Sequence, residues 1–369
     1  MTESQVRFID ISAAQPRAQD LWPAVLIPKS QIDDEIQRLC DIARQDGAAR
    51  AALVVHPKAK APGLGLAPGI DVTINVLLPG ESTRAVRRNS TQVDMCIRGS
   101  GRVSVGGESF CVEQFDVWNS PSLQYHSATN DGKEPWVRLT YSNAPLLEKL
   151  EVHYVEEAAE GADLAASGAT AEEKEQIRRA RDAAERIQLG DSGAQLLGYE
   201  YLIDIEPIPS RALLWPWKLV SQHIGRVRGI GGGYTGRRLY VLYNPATRRL
   251  IGTTNNFFAT IAAVPGGNLD IPHRHTSAAI NYYFEGHGLS NVMGRKFEWQ
   301  AGDLMLSAPG WAIHNHASGP DGFYSLTIQD HPLMIGMESL IWQETMKDPI
   351  KNLGTQIGFQ TNLAELLPS

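Results

Sequence analysis

The chain has 369 residues, 43% of them apolar and 20% charged, and its 34 Lys and Arg against 41 Asp and Glu leave a net charge of -7. That is enough chain for one large or two ordinary core-bearing domains, and an acidic balance without a basic stripe argues against nucleic acid as a partner. No apolar run is long enough to span a bilayer and no charged-then-apolar leader opens the sequence, so it reads as a soluble cytoplasmic protein without membrane partners.

In chain order, the first element is a helix expected from Ser30 through Ile32, Ile36, Leu39, Cys40 and Ile42 to Asp46-Gly47. Short runs rich in Val, Ile, Tyr and Thr follow between Gly, Pro and Asn turns, which suits a barrel or jelly roll. Residues 163–170 read as a linker. Thr170 with Glu173 forms a capping box, and Ile177, Ala180, Ala184 and Ile187 recur at helical spacing as far as Gly190, predicting an amphipathic helix of about five turns. Residues 238–243 then read as a strand before Asn244-Pro245. The three cysteines, Cys40, Cys96 and Cys111, are odd in number and lack C-x-x-C spacing, so they read as plain thiols.

The densest chemistry lies in the last third. His273 and His275 flank Arg274 after Pro272, and alternation along a strand puts both imidazoles on one face. Gly302-Asp303 leads to Pro309-Gly310, Trp311 and then His314 and His316. Imidazole suits Fe, Zn, Cu or Ni, and a third ring from a neighbouring strand closes one face of an octahedron. Three neutral ligands leave a divalent ion its full charge and open positions, which favours an anionic, chelating substrate and room for dioxygen or water.

Sliding the chain on itself by 187 positions lays Gly99 on Gly286, Gly101 on Gly288, Gly107 on Gly294 and Asp116 on Asp303; at a shift of 188, Pro121 meets Pro309 and His126 meets His314. Two copies of one barrel are therefore expected. Val86 and Arg88 occupy the first copy's places for His273 and His275, so that barrel is read as metal-free and His126 as a hydrogen-bonded core histidine. The division is an N-terminal helical and extended segment (1–65), a first barrel (66–150), a helical linker (151–200), a second, metal-binding barrel (201–345) and a tail (346–369).

The Gly…His-x-His…Gly and Gly-Asp…Pro-Gly…His layout resembles the two motifs of the cupin superfamily, but residues 276–280 lack the glutamate that most cupins carry there. Over about residues 260 to 333, including Gln329-Asp330-His331-Pro332-Leu333, the chain resembles the gentisate, salicylate and 1-hydroxy-2-naphthoate dioxygenase family. The resemblance implies a mainly β chain of two tandem cupin barrels, with a few helices before and between them. It also implies Fe(II) held by His273, His275 and His314, a small aromatic substrate and dioxygen as partners, and a ring-cleaving dioxygenase of extradiol type. His316 becomes an acid, base or substrate donor. Asn281 stands where the family typically has a carboxylate-binding arginine, and strand parity from His275 puts Ser277, Ala279, Asn281 and Tyr283 on the ligand face, with Tyr283 placed to cap the pocket. Two other readings stay open. One is a non-redox metalloenzyme (hydrolase, isomerase or decarboxylase) with Zn, Ni or Mn and Glu285 as the nearest base; the other is a non-catalytic two-barrel binding protein. A homo-oligomer is expected for such chains.

Overall fold

The computed structural model describes the chain apart from residues 1–5, 14, 16–18, 45–46, 166–168, 183–185, 199–210, 231–232, 235, 359 and 367–369. The first barrel sets a six-stranded sheet against a five-stranded one. Trp118, Trp136, Leu77 and Cys96 from the first sheet pack on Val103, Val105, Val112 and Ala128 from the second. The second barrel is built on a seven-stranded sheet whose two longest strands, Ala279–Val292 and His314–Gln329, pair antiparallel along most of their length. A three-stranded sheet of Arg274–His275, Ile341–Gln343 and Lys351–Asn352 closes one end. Among the described residues no helix is long and apolar enough to cross a membrane.

Alternation explains how the barrels meet. Along Asp71–Leu77, Val72, Ile74 and Val76 turn outward, as do Val93, Met95, Val137 and Leu139 on neighbouring strands, and all pack against Ile261, Ile280, Leu306, Leu326 and Ile328 of the second barrel. The two large sheets thus share one apolar core, while Asp71, Thr73 and Asn75 face into the first barrel.

The repeat is real at the level of hydrogen bonds. Gly99 and Gly286 both take positive φ, 74° and 82°, and a Cβ on either would meet a backbone carbonyl at 2.7 or 2.1 Å. Asp116 accepts the Glu113 N–H at 2.8 Å and the Trp217 N–H at 2.7 Å; Asp303 accepts the Gln300 N–H at 2.9 Å and the Lys29 N–H at 2.7 Å. Each aspartate closes its own turn and holds the first residue of a helix, Trp217–Arg228 or Lys29–Asp41. Those helices come from the segment before the other barrel. Val25–Ile27 pairs with Leu304–Ala308 of the second barrel, and Leu214–Trp215 pairs with Val117–Ser120 of the first. The barrels therefore exchange straps, and Pro28 and Pro216 occupy matching places ahead of the two helices.

Two expected helices are shorter than their patterns. The first runs Lys29–Asp41 and buries Ile32, Ile36 and Leu39, but Ile42 is exposed and extended (φ -73°, ψ 146°), so no packing prolongs the helix; Asp46 lies outside the described residues. The capping box forms, with Thr170 and Glu173 bonding reciprocally, yet the helix is Ala171–Asp182 only. Ile187 instead lies in Arg186–Gln188, paired with Gln195–Leu197, and Ala184 lies outside the described residues. Of residues 238–243, Leu239–Val241 forms the strand.

Because Asp303 satisfies a turn and a helix start together, Asp303→Ala should lower unfolding stability by about 1–3 kcal/mol. Urea unfolding followed by circular dichroism measures this. A change under about 0.5 kcal/mol would show that the strap does not depend on the carboxylate.

Candidate metal centre

His273 and His314 face each other across an isolated antiparallel bridge, each backbone N–H donating to the other's carbonyl, at 3.1 and 3.0 Å. Opposed residues of such a pair project to one face, and the rings come to 4.4 Å between centroids. His275 is held by the pairing of Arg274–His275 with Ile341–Gln343, its ring 4.9 Å from His314 and 5.8 Å from His273. One ring nitrogen from each of the three lies within 4.8 Å of the others, and all three residues are buried. Trp342 stacks on His275 at 4.6 Å and 23°.

The backbone fixes which nitrogen is free. Nδ1 of His273, His275 and His314 each lies 2.9 Å from a carbonyl oxygen, of Ile271, Ser277 and Ala312 respectively. A carbonyl only accepts, so Nδ1 carries the proton and the Nε2 lone pair is bare, the form in which imidazole binds a metal. Burial and then the neighbouring imidazoles keep the rings neutral: His314 is lowered to about 3, and His273 and His275 fall well below the usual histidine value. Three bare nitrogens and no carboxylate fit a mid-row divalent ion with its charge undiminished.

At His316 the Nδ1 partner is a hydroxyl, which can donate as well as accept. The indole N–H of Trp299, which can only donate, bonds Ser290 Oγ at 2.9 Å, and Ser290 Oγ lies 2.7 Å from His316 Nδ1 and 3.4 Å from the Tyr283 hydroxyl. With the serine hydroxyl donating to Nδ1, the His316 proton sits on Nε2. Burial, with Arg237 as a second cause, lowers this ring to about 4, so it stays neutral near pH 7.

The four histidines line one cavity of about 390 Å³, together with Asn281, Tyr283, Ser307 and the apolar Phe258 and Phe323. Asn281 and Tyr283 are on the expected face, but both are already engaged. Asn281 donates to Ser307 Oγ at 2.6 Å and to the Tyr283 hydroxyl at 3.3 Å, and accepts from Thr327 at 2.6 Å, which leaves no free N–H for a ligand. Tyr283 is fully buried, stacked on Trp299 at 3.7 Å and 3°, so it forms a wall and not a cap. Ser277 sits behind His275, its hydroxyl 2.9 Å from Nδ1, rather than beside the cavity. Glu285 is exposed and does not line the cavity. Trp311 carries the Arg274 guanidinium over its ring at 4.4 Å.

Sequence reasoning missed four contributors. Arg237 lines the cavity and pairs with Glu344, Nη1 to Oε1 at 2.9 Å and Nη2 to Oε2 at 3.1 Å. Trp342 arrives from the C-terminal strand, and Ser290 only through its bond to His316. His331 lines the cavity with its Nδ1 unpartnered, and burial lowers it to about 3. Only His331 had a signal, inside the Gln329–Leu333 run already singled out.

No family model matches the chain. By sequence it is 28% identical over 319 residues to a gentisate 1,2-dioxygenase of Streptomyces sp, covering 84% of this chain and 82% of that one. It is 23% identical over 301 residues to a 5-aminosalicylate 1,2-dioxygenase of Comamonas sp, covering 79% and 74%. Against gentisate 1,2 dioxygenase 1 of Aquipseudomonas alcaligenes, 26% identity extends over 130 residues, and the chain spans only 31% of that protein's length. The crystal structure of salicylate 1,2-dioxygenase from Pseudaminobacter salicylatoxidans superposes with a TM-score of 0.69 at 15% identity, over 91% of this chain and 93% of that one. The fold is that of this bicupin family: mainly β, two tandem cupin barrels, few helices. Nothing in these relatives supports the narrower extradiol label, which is set aside.

With ligand protonation displaced so far down, metal occupancy at fixed free metal should stay flat from about pH 8 to about pH 5. Metal analysis after equilibrium dialysis checks this; release centred near the ordinary histidine value of about 6.5 would contradict the neutral, buried triad.

Proposed function

We propose that this chain, a two-cupin relative of the gentisate and salicylate 1,2-dioxygenases, is an Fe(II)-dependent ring-cleaving dioxygenase. Its substrate is a hydroxylated aromatic acid or related phenol, into which both atoms of dioxygen are inserted. The observation that carries this reading is the pairing, in one cavity, of three imidazoles with bare Nε2 and a fourth, His316, whose Nδ1 meets the Ser290 hydroxyl. When bound, the ion would supply the electronic link between an electron-rich ring and dioxygen that protein side chains lack.

The chain's own residues do the rest. His273, His275 and His314 hold the ion on one face and leave the cavity side open. A volume of about 390 Å³ is in the usual range for a small-molecule site, and Phe258 and Phe323 give an aromatic ring apolar walls. His316 donates its Nε2 proton to an oxygen of the substrate and can receive one later, because the Ser290 bond holds its other nitrogen as an acceptor. Asn281 and Tyr283 position this chain of hydroxyls and do not touch the substrate. Arg237, half-buried and already neutralised in part by Glu344, supplies the positive field for the substrate's carboxylate that position 281 does not. Asp270 also lines the cavity, and burial raises its carboxyl toward the neutral form, which suits a site meant for an anion.

The test is oxygen uptake by protein loaded anaerobically with Fe(II), against gentisate, substituted salicylates, hydroxynaphthoates and hydroquinones, with ultraviolet spectra of the product. Stoichiometric uptake and a conjugated ring-opened product are expected with at least one of them. Bound iron with no uptake across the panel would move the assignment to a non-redox metalloenzyme with Asp270 as its base. His316→Ala should keep the metal and lower kcat roughly 100-fold. Arg237→Gln should raise KM for carboxylated substrates about tenfold and leave that for hydroquinones unchanged.

A further inference from the structure

The first barrel repeats the metal-holding one strand for strand. Val86 faces His126 as His273 faces His314, which puts Arg88 in the place of His275. The Thr140 hydroxyl bonds Asp94 as the Thr327 hydroxyl bonds Asn281, in matching register. By the same register Arg138 stands where Ser325 lines the metal cavity, and Asp71 where Phe258 does. The alternation that sends Val72, Ile74, Val137 and Leu139 to the shared core turns Asp71, Asn75, Arg138 and Thr140 inward. The interior of the first barrel has thus exchanged imidazoles and apolar walls for charge.

Asp71 and Asp94 act on the Arg88 and Arg138 guanidiniums electrostatically but bond neither of them. Among the described residues, Arg88 and Arg138 make no hydrogen bond or ion pair with protein, and Nε of each is sealed from solvent with nothing to accept its proton. Arg138 is half-buried, with the Trp136 ring beneath it at 4.7 Å and the Asp94 carboxylate acting on its charge. Gln92 Oε1 and Asp71 Oδ1, on the same walls, are orphaned too. Buried guanidiniums are costly to leave unpaired, and their planar donor fork matches a carboxylate with two parallel bonds.

We propose that the interior of the first barrel is a second ligand site, built for a small carboxylate clamped by Arg88 and Arg138. Asp71 and Asp94 select among anions. Burial pushes Asp71 up to about 7, so it can donate a proton to a carboxylate oxygen, and raises Asp94 in the same direction, whereas a multiply charged phosphate would meet the repulsion of both. The site needs no metal, because its cations are permanent side chains.

Isothermal titration of the metal-loaded full chain with propionate, succinate and inorganic phosphate tests this. Saturable binding of a carboxylate is expected, unchanged after the metal is removed by chelation and weakened at least tenfold in Arg88→Gln and in Arg138→Gln. Binding lost with the metal, or retained in both variants, overturns the proposal, as does the absence of carboxylate binding. Binding of phosphate instead of carboxylates overturns the ligand class. Should either variant fail to fold by circular dichroism, the wild-type arginine Nε–H resonances decide: two buried signals are expected to shift with added carboxylate, and unshifted signals overturn the site.

Discussion

The hydrogen bonds from Nδ1 of His273, His275 and His314 to the carbonyls of Ile271, Ser277 and Ala312 hold three imidazoles in one tautomer and one orientation. Each carbonyl lies two residues from its histidine, so the strand itself supplies the clamp and no distant side chain is needed. His316, two residues beyond His314, escapes this rule because its Nδ1 meets a hydroxyl. Trp299 takes one lone pair of Ser290, and with the serine hydroxyl turned toward Nδ1 the His316 proton sits on Nε2. Two adjacent positions on one strand thereby present a bare nitrogen and a proton donor to the same cavity.

That arrangement depends on strands that cannot slip. A shift of one residue would turn every cavity-facing side chain of Ala279–Val292 or His314–Gln329 to the other face. Register is held at one end by the mutual bonds of His273 and His314 and in the middle by the irregularity at Gly286, whose positive φ sets where the pairing shifts. The outer face of the same sheet is buried against the first barrel, so a slip would also expose apolar surface from the shared core. The exchanged straps add to this, since each barrel's sheet is completed by chain that precedes the other. The first barrel, whatever it binds, is a structural requirement of the second.

What could be read from sequence was what local rules determine. The i, i+2 spacing of His273 and His275 fixed their common face, and glycines and aspartates at a constant shift of about 187 exposed the duplicated barrel. Asn281 and Tyr283 were placed on the cavity face by parity, which says nothing about the Ser307, Thr327 and Trp299 that hold them. Arg237 and Trp342 come from segments far along the chain and carry no periodic signal, so only tertiary structure brings them to the cavity. The helix boundaries failed for a related reason: helical spacing at Ile42 and Ile187 persists where there is no core to bury it. The strap exchange left one trace, Pro28 and Pro216 at the repeat distance, which a comparison confined to the barrels passes over.

Long-range proton–nitrogen NMR correlation of the metal-free protein reads the tautomers of His314 and His316 directly. Nδ1–H signals for His273, His275 and His314 and an Nε2–H signal for His316 are expected, unchanged from about pH 8 to about pH 5.5. An Nδ1–H form of His316, or Nε2–H forms among the other three, would contradict this assignment, since neither a prepared metal face nor a prepared proton donor would then exist.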